Sequence, residues 1–170
     1  MKSMLNGSAV FRIAVLAVGL LTAAPAFAQK VDPEVMVPIT KFVNAFNKGD
    51  MAAAAATATP EAYIIDEFPP HLWTGAKAMD AWATDYGKNA SATGVTEGIV
   101  TISKPTRYVA EKDHAYVIVP AVYTYKEKGV PMIEKGQLTI SLRHAADGWK
   151  ITAWTWSGPN PTAVKTTKPQ

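Results

Sequence analysis

The sequence predicts an α+β domain in which three helices near the start cover the concave face of a curved antiparallel sheet, closing a cone. Three observations carry that expectation. Apolar residues recur at helical spacing as far as Tyr86, and from Val95 onward the period changes to alternation. The pairs Lys112-Asp113, Lys128-Gly129 and Asp147-Gly148 then cut the alternating half into hairpin-length segments. Helices grouped ahead of strands give segregated α+β layers rather than a parallel α/β sheet.

Residues 1–28 are set apart as a cleavable export signal. Lys2 and Arg12 supply a positive start, Ile13 to Ala24 an apolar run, and Ala26 and Ala28 the small-x-small site that places the cut between Ala28 and Gln29. The apolar run is short for a spanning helix and no stop-transfer cluster follows it. The expected location is periplasmic or secreted, with no membrane association after cleavage. Losing Lys2 and Arg12 takes two charges from the formal +3, so most of the basicity belongs to the signal. The remaining chain has no basic stripe for nucleic acid.

In the mature chain, Asp32-Pro33 offers a cap and a first-turn proline for a helix whose stripe is Val35, Ile39, Phe42, Val43 and Phe46. Pro38 interrupts it and is read as the true first turn, with Val35 in the lead-in. Gly49 stops this helix and Asp50 caps a short second one over Met51 to Ala56. Ala62 to Asp66 reads as a short strand and Phe68 to Trp73, with two prolines, as an irregular loop. Thr74 is read as the cap of a third helix with Ala76, Met79, Trp82, Ala83 and Tyr86 buried.

Among the strands, one face carries Ala115, Val117, Val119, Ala121, Tyr123 and Tyr125, and another Leu138, Ile140 and Leu142. Pro120 implies a bulge or an edge. In the last strand Trp149, Ile151, Ala153 and Thr155 are assigned inward, Trp154 and Trp156 outward. The domain is bounded at residues 29–158, and residues 159–170, without apolar period, are read as a disordered tail.

The run Phe46-Asn47-Lys48-Gly49-Asp50, the strand end Ile65-Asp66, Gly75 before the third helix, and Gly148-Trp149-Lys150-Ile151 with Trp156-Ser157 together resemble the nuclear transport factor 2-like superfamily. The resemblance is to its SnoaL-like and ketosteroid isomerase-like bacterial members and covers nearly the whole mature chain. It implies the cystatin-like roll, a conical pocket, often a homodimer, and relatives that isomerise, dehydrate, cyclise, hydrolyse or only bind. Many relatives carry polar or imidazole groups late in the last strand; here that face shows Ala153 and Thr155, which argues against histidine-based chemistry.

Cysteine is absent, so no thiolate acts as nucleophile or metal ligand, and His71, His114 and His144 lack metal-ligand spacing. No metal and no cofactor are expected. The catalytic candidates are Asp66 and His71, since a carboxylate beside an imidazole makes a general acid or base near neutral pH. The bland alternative is a loop-fixing role, Asp66 or Glu67 capping the turn and His71 packing on Trp73. Trp73, Trp82, Tyr86, Tyr123, Tyr125 and Thr155 are candidates to line a pocket for a small, partly apolar molecule. Trp154 and Trp156, placed outward, are candidates for a homodimer seam unless a bulge turns one of them inward. Three functions stay open: a binding protein, an isomerase or dehydratase with Tyr86 or Tyr125 as oxyanion donor, and a dimeric module with a filled cavity.

Overall fold

A computed structural model describes residues 30–165, so the expected export signal at residues 1–28 lies outside the described residues. The first helix, α1 (Pro33–Asn47), starts on the Asp32 cap, whose carboxylate accepts from the Glu34 N–H at 2.9 Å. Pro33 holds its first position and Pro38 lies inside it, against the expectation that Pro38 begins the helix. A proline there deprives only a first-turn carbonyl of its partner, and the buried ring offsets the loss. Asp50 caps α2 (Met51–Ala55) through the Ala53 N–H at 3.0 Å.

Eight strands form one curved, mixed sheet whose buried residues share a core with those of the helices. The strands are β1 (Ala58–Ile65), β2 (Leu72–Ala76), β3 (Val95–Ile102), β4 (Arg107–Glu111), β5 (His114–Glu127), β6 (Val130–Ala145), β7 (Gly148–Ser157) and β8 (Thr162–Ala163). Their order is β2-β1-β7-β6-β5-β3, with β4 on β5 and β8 on β6. The antiparallel expectation fails at one seam, because β1 runs parallel to β7. Alternation records which face a residue occupies but not the direction of its neighbour.

Thr74 and Gly75 belong to β2 and do not open a helix. The helix α3 (Ala78–Thr93) begins after Lys77 in the left-handed region, with no side-chain cap. Pro120 sits opposite the gap where β5 exchanges β4 for β3: Arg107 pairs with Ile118, and Ile102 with Ala121. Its missing N–H therefore removes no ladder bond to β6.

The pairing of β6 with β7 slips between Ser141↔Ala153 and Leu142↔Ile151, leaving Thr152 as an extra residue. Parity reverses there, so Ile151 and Trp154 are both buried in the core. The outward assignment of Trp154 and Trp156 is thus corrected, and with it the ground for calling them a dimer seam. Thr155 moves to the other face. The outer surface exposes Tyr63, Ile65 and Leu72 instead.

The disordered-tail assignment also needs correction as far as residue 164. Thr162 and Ala163 pair with Ile133 and Met132, and the Val164 N–H reaches the Pro131 carbonyl at 2.9 Å. These residues cover a stretch of β6 that β7 is too short to reach. Deleting residues 160–165 is expected to cost about 1 kcal/mol, read from the midpoint of urea unfolding; a loss above about 3 kcal/mol would give β8 a larger share in the core than two edge pairs supply.

Candidate functional site

A cavity opens among α1, α3, the β1–β2 turn and the inner face of the sheet. Its walls are Phe42, Val43, Phe46, Phe68, Trp82, Tyr86, Val100, Tyr123, Leu138, Trp154 and Trp156, with Asp66 and Glu67 at one side. The space inside these walls is about 70 Å³, and the cavity is open to solvent on one side. A second, wider groove between α1 and the β6–β7 hairpin is lined by Lys41, Lys48, Trp149 and Lys150. Within it Lys150 is held by Asp147 at 3.0 Å and by the Ala56 carbonyl at 3.1 Å.

Two glycines make room for the polar groups of the cavity. A Cβ on Gly98 would stand 2.6 Å from the Tyr123 hydroxyl and 3.0 Å from that of Tyr86. With only hydrogen there, the two hydroxyls meet at 2.7 Å. On β6 a Cβ at Gly136 would stand 2.8 Å from the Trp156 ring, so glycine lets that indole lie across the strand. The indole N–H of Trp156 then donates to Oε1 of Glu134.

Asp66 follows directly on β1 and is fixed at both oxygens. Oδ2 accepts from the Trp82 indole N–H at 2.8 Å, and Oδ1 from the Glu67 backbone N–H at 2.8 Å. Burial nevertheless dominates and pushes its pKa up to about 6. Glu67 keeps part of its surface in water, but its carboxyl faces Glu134; burial first, then the charge of Glu134 and a hydrogen bond to it, raise Glu67 to about 7. Glu134 is only 2 % exposed and is raised as well, chiefly by burial. Burial likewise raises Tyr86 and Tyr123, keeping both phenols protonated. One of these hydroxyls must donate to the other, which leaves the acceptor's proton free to point at a ligand.

His71 stands apart from this constellation. Its backbone is left-handed at φ 71°, and Nδ1 donates to the Asp66 main-chain carbonyl at 3.1 Å rather than to the carboxylate. The expected carboxylate–imidazole pair is therefore not formed, since the turn uses the imidazole to hold its own backbone. Trp82, Tyr86 and Tyr123 line the cavity, whereas Trp73, Tyr125 and Thr155 do not. Trp73 is buried against Phe68 and donates to Asp85 at 3.1 Å. Tyr125 stacks on Tyr123 from behind at 4.7 Å. The Thr155 hydroxyl donates to the Trp156 carbonyl at 3.1 Å.

Sequence reasoning missed Glu134, and gave Glu67 only a capping role. One signal for Glu134 was present: it shares parity with Leu138, Ile140 and Leu142, so an ionisable group stands in register with the core face. Gly136 between them marks a close approach. Among the described residues no group of three or more His, Cys, Asp or Glu is placed to hold a metal ion.

Residues 35–161 match the family model described as the SnoaL-like domain. The chain belongs to the SnoaL-like family. No curated protein matches it. Among solved structures, a ketosteroid isomerase-like protein from Erwinia carotovora atroseptica is 24% identical, over 75% of this chain and 95% of that one, with a TM-score of 0.59. A nuclear transport factor 2-like superfamily protein from Salmonella enterica serovar Typhimurium is 16% identical, over 79% and 95%, at 0.61. A hexachlorocyclohexane dehydrochlorinase is 12% identical, over 78% and 88%, at 0.63. At these identities the likeness is one of fold.

Proposed function

We propose that this is an exported SnoaL-like pocket protein that takes a small, flat, partly apolar molecule between its helices and the concave side of its sheet and moves a proton on it. The observation that carries this reading is the placement of Asp66, a carboxyl that burial pushes up to about 6, held rigid beside an aromatic cavity that also presents the hydroxyl pair of Tyr86 and Tyr123. A carboxylate with a pKa near the working pH is suited to take a proton and return it. The free O–H of the tyrosine pair is suited to stabilise an oxyanion formed when a proton leaves the carbon beside a carbonyl. Asp66 therefore has the role of acid and base and the tyrosine pair that of oxyanion donor, the isomerase or dehydratase type of chemistry.

The test is hydrogen exchange at the α-carbon of a bicyclic ketone such as 2-tetralone in D₂O, followed by NMR. Asp66→Asn is expected to slow catalysed exchange by about 10²-fold or more, and Tyr86→Phe by about 10-fold or more, with both variants folded by circular dichroism. The rate should rise with pH through about 6, as Asp66 gains its basic form. Exchange no faster than that produced by free acetate, or undiminished in Asp66→Asn, would remove the catalytic reading.

A further inference from the structure

The cavity has an unusual balance of charge. Asp66 and Glu67 line it, and Glu134 stands on β6 directly opposite Tyr123, one of its walls. No lysine, arginine or histidine is among the lining residues. Among the described residues none of the three carboxyls forms an ion pair. Buried carboxylates are ordinarily paired, because an uncompensated charge out of water is costly.

Two buried polar atoms bear on the occupant, one an acceptor and one a donor. Oε2 of Glu134, on a side chain 98% removed from solvent, receives no hydrogen bond from any N–H or alcohol, leaving the Glu67 carboxyl as the one neighbour able to share a proton with it, and Nε1 of Trp154, in the cavity wall, has no acceptor. Native proteins seldom leave such atoms orphaned without a water or a ligand to meet them. The rest of the wall is aromatic, and the faces of Phe, Tyr and Trp attract a cation stripped of water.

Taking the cavity as the binding site, as proposed above, we infer that its occupant carries a protonated amine, which sits against Glu67 and Glu134 while the flat part of the molecule lies among Phe46, Trp82, Tyr86 and Trp156. The amine supplies the positive charge that the three acids lack and a further donor to the Glu67–Glu134 pair; the Trp154 N–H, itself a donor, calls for an acceptor elsewhere on the same molecule. The substrate class is thus a small aromatic or cyclic amine.

Binding of such a cation is linked to pH, since the acids must give up protons to receive it. The groups that face one another here are Asp66 and Glu67 from the β1–β2 turn, Glu134 from β6, Tyr86 from α3, and Tyr123 and Tyr125 from β5, with Glu127 near Tyr125 and His71 behind Asp66. The phenols stay neutral below pH 8.

The experiment compares phenethylamine, protonated throughout the range, with the neutral 2-phenylethanol, by titration calorimetry on the full mature chain at pH 5 and pH 8. The amine is expected to bind at least about tenfold more tightly at pH 8, with that preference falling toward unity at pH 5. At pH 6.5 the amine alone should release protons, seen as a heat that depends on the buffer's ionisation enthalpy. Glu67→Gln, at a partly exposed position that tolerates the change, should reduce the preference at pH 8 at least about fivefold, and Glu134→Gln should do the same if it folds. Equal or tighter binding of the alcohol at pH 8 would overturn the cation assignment and leave the pocket standing. Failure of both compounds to bind would overturn both.

Discussion

Trp82→Ala is expected to leave the domain at or beyond the edge of folding, a loss of about 3–5 kcal/mol against the roughly 5–15 kcal/mol that holds a typical domain together. Trp82 is 3 % exposed and its ring is the hub of the aromatic cluster. It meets Trp154 edge-on at 5.0 Å, stacks near Tyr86 at 5.8 Å, and touches Phe42 and Phe46 at 6.0 Å each. Its removal joins the cavity to a new void and takes away the indole that bonds Asp66. Urea unfolding followed by circular dichroism measures the loss; a cost below about 1.5 kcal/mol would mean that the cluster collapses around the gap.

Trp82→Phe separates the two roles. Most of the volume stays, so the stability cost should be nearer 1–2 kcal/mol, but the N–H that favours ionised Asp66 is gone. Asp66 then rises further, and the ascending limb of the exchange rate should move to higher pH. An unmoved limb with a reduced rate would mark Trp82 as a wall and not as the group that sets Asp66.

Much of the fold was legible because the core positions obey simple periods. Val35, Ile39, Phe42 and Val43 fall on one face of α1, and Val117, Val119, Leu138, Ile140 and Leu142 on one face of β5 and β6. What periodicity cannot supply is an interruption of itself. The extra residue Thr152 reversed the assignment of Trp154 and Trp156, and so hid two walls of the cavity. Thr74 looks like a cap, yet its backbone is committed to pairing opposite Tyr63 in β1. Asp66 was visible as a carboxyl at a strand end. Its partners were not, because Trp82 and Glu134 reach it through the tertiary fold from 16 and 68 positions away.

The melting temperature is expected to be higher at pH 5 than at pH 8, against the usual gain toward neutrality. Asp66, Glu67 and Glu134 all hold their protons more tightly when folded than in the unfolded chain. Between about pH 4 and pH 7 the native state therefore binds more protons, and stability falls as pH rises through that window. For Asp66 alone, a rise from 3.8 to about 6 corresponds to about 3 kcal/mol; Glu67, partly in water, adds less than its shift suggests. Asp85 and Asp147 are shifted down, by hydrogen bonds from Trp73 and Lys150 respectively, and their stabilising effect is lost only in more acidic solution, below this window. A difference of about 5–10 °C in calorimetry follows. Glu134→Gln keeps an oxygen for the Trp156 N–H and removes a charge from the trio, so it should raise the melting temperature at pH 8 and flatten the profile. A wild-type profile that is flat or rising from pH 5 to pH 8 would mean that water reaches all three carboxyls, and the pressure toward a cationic occupant would vanish with it.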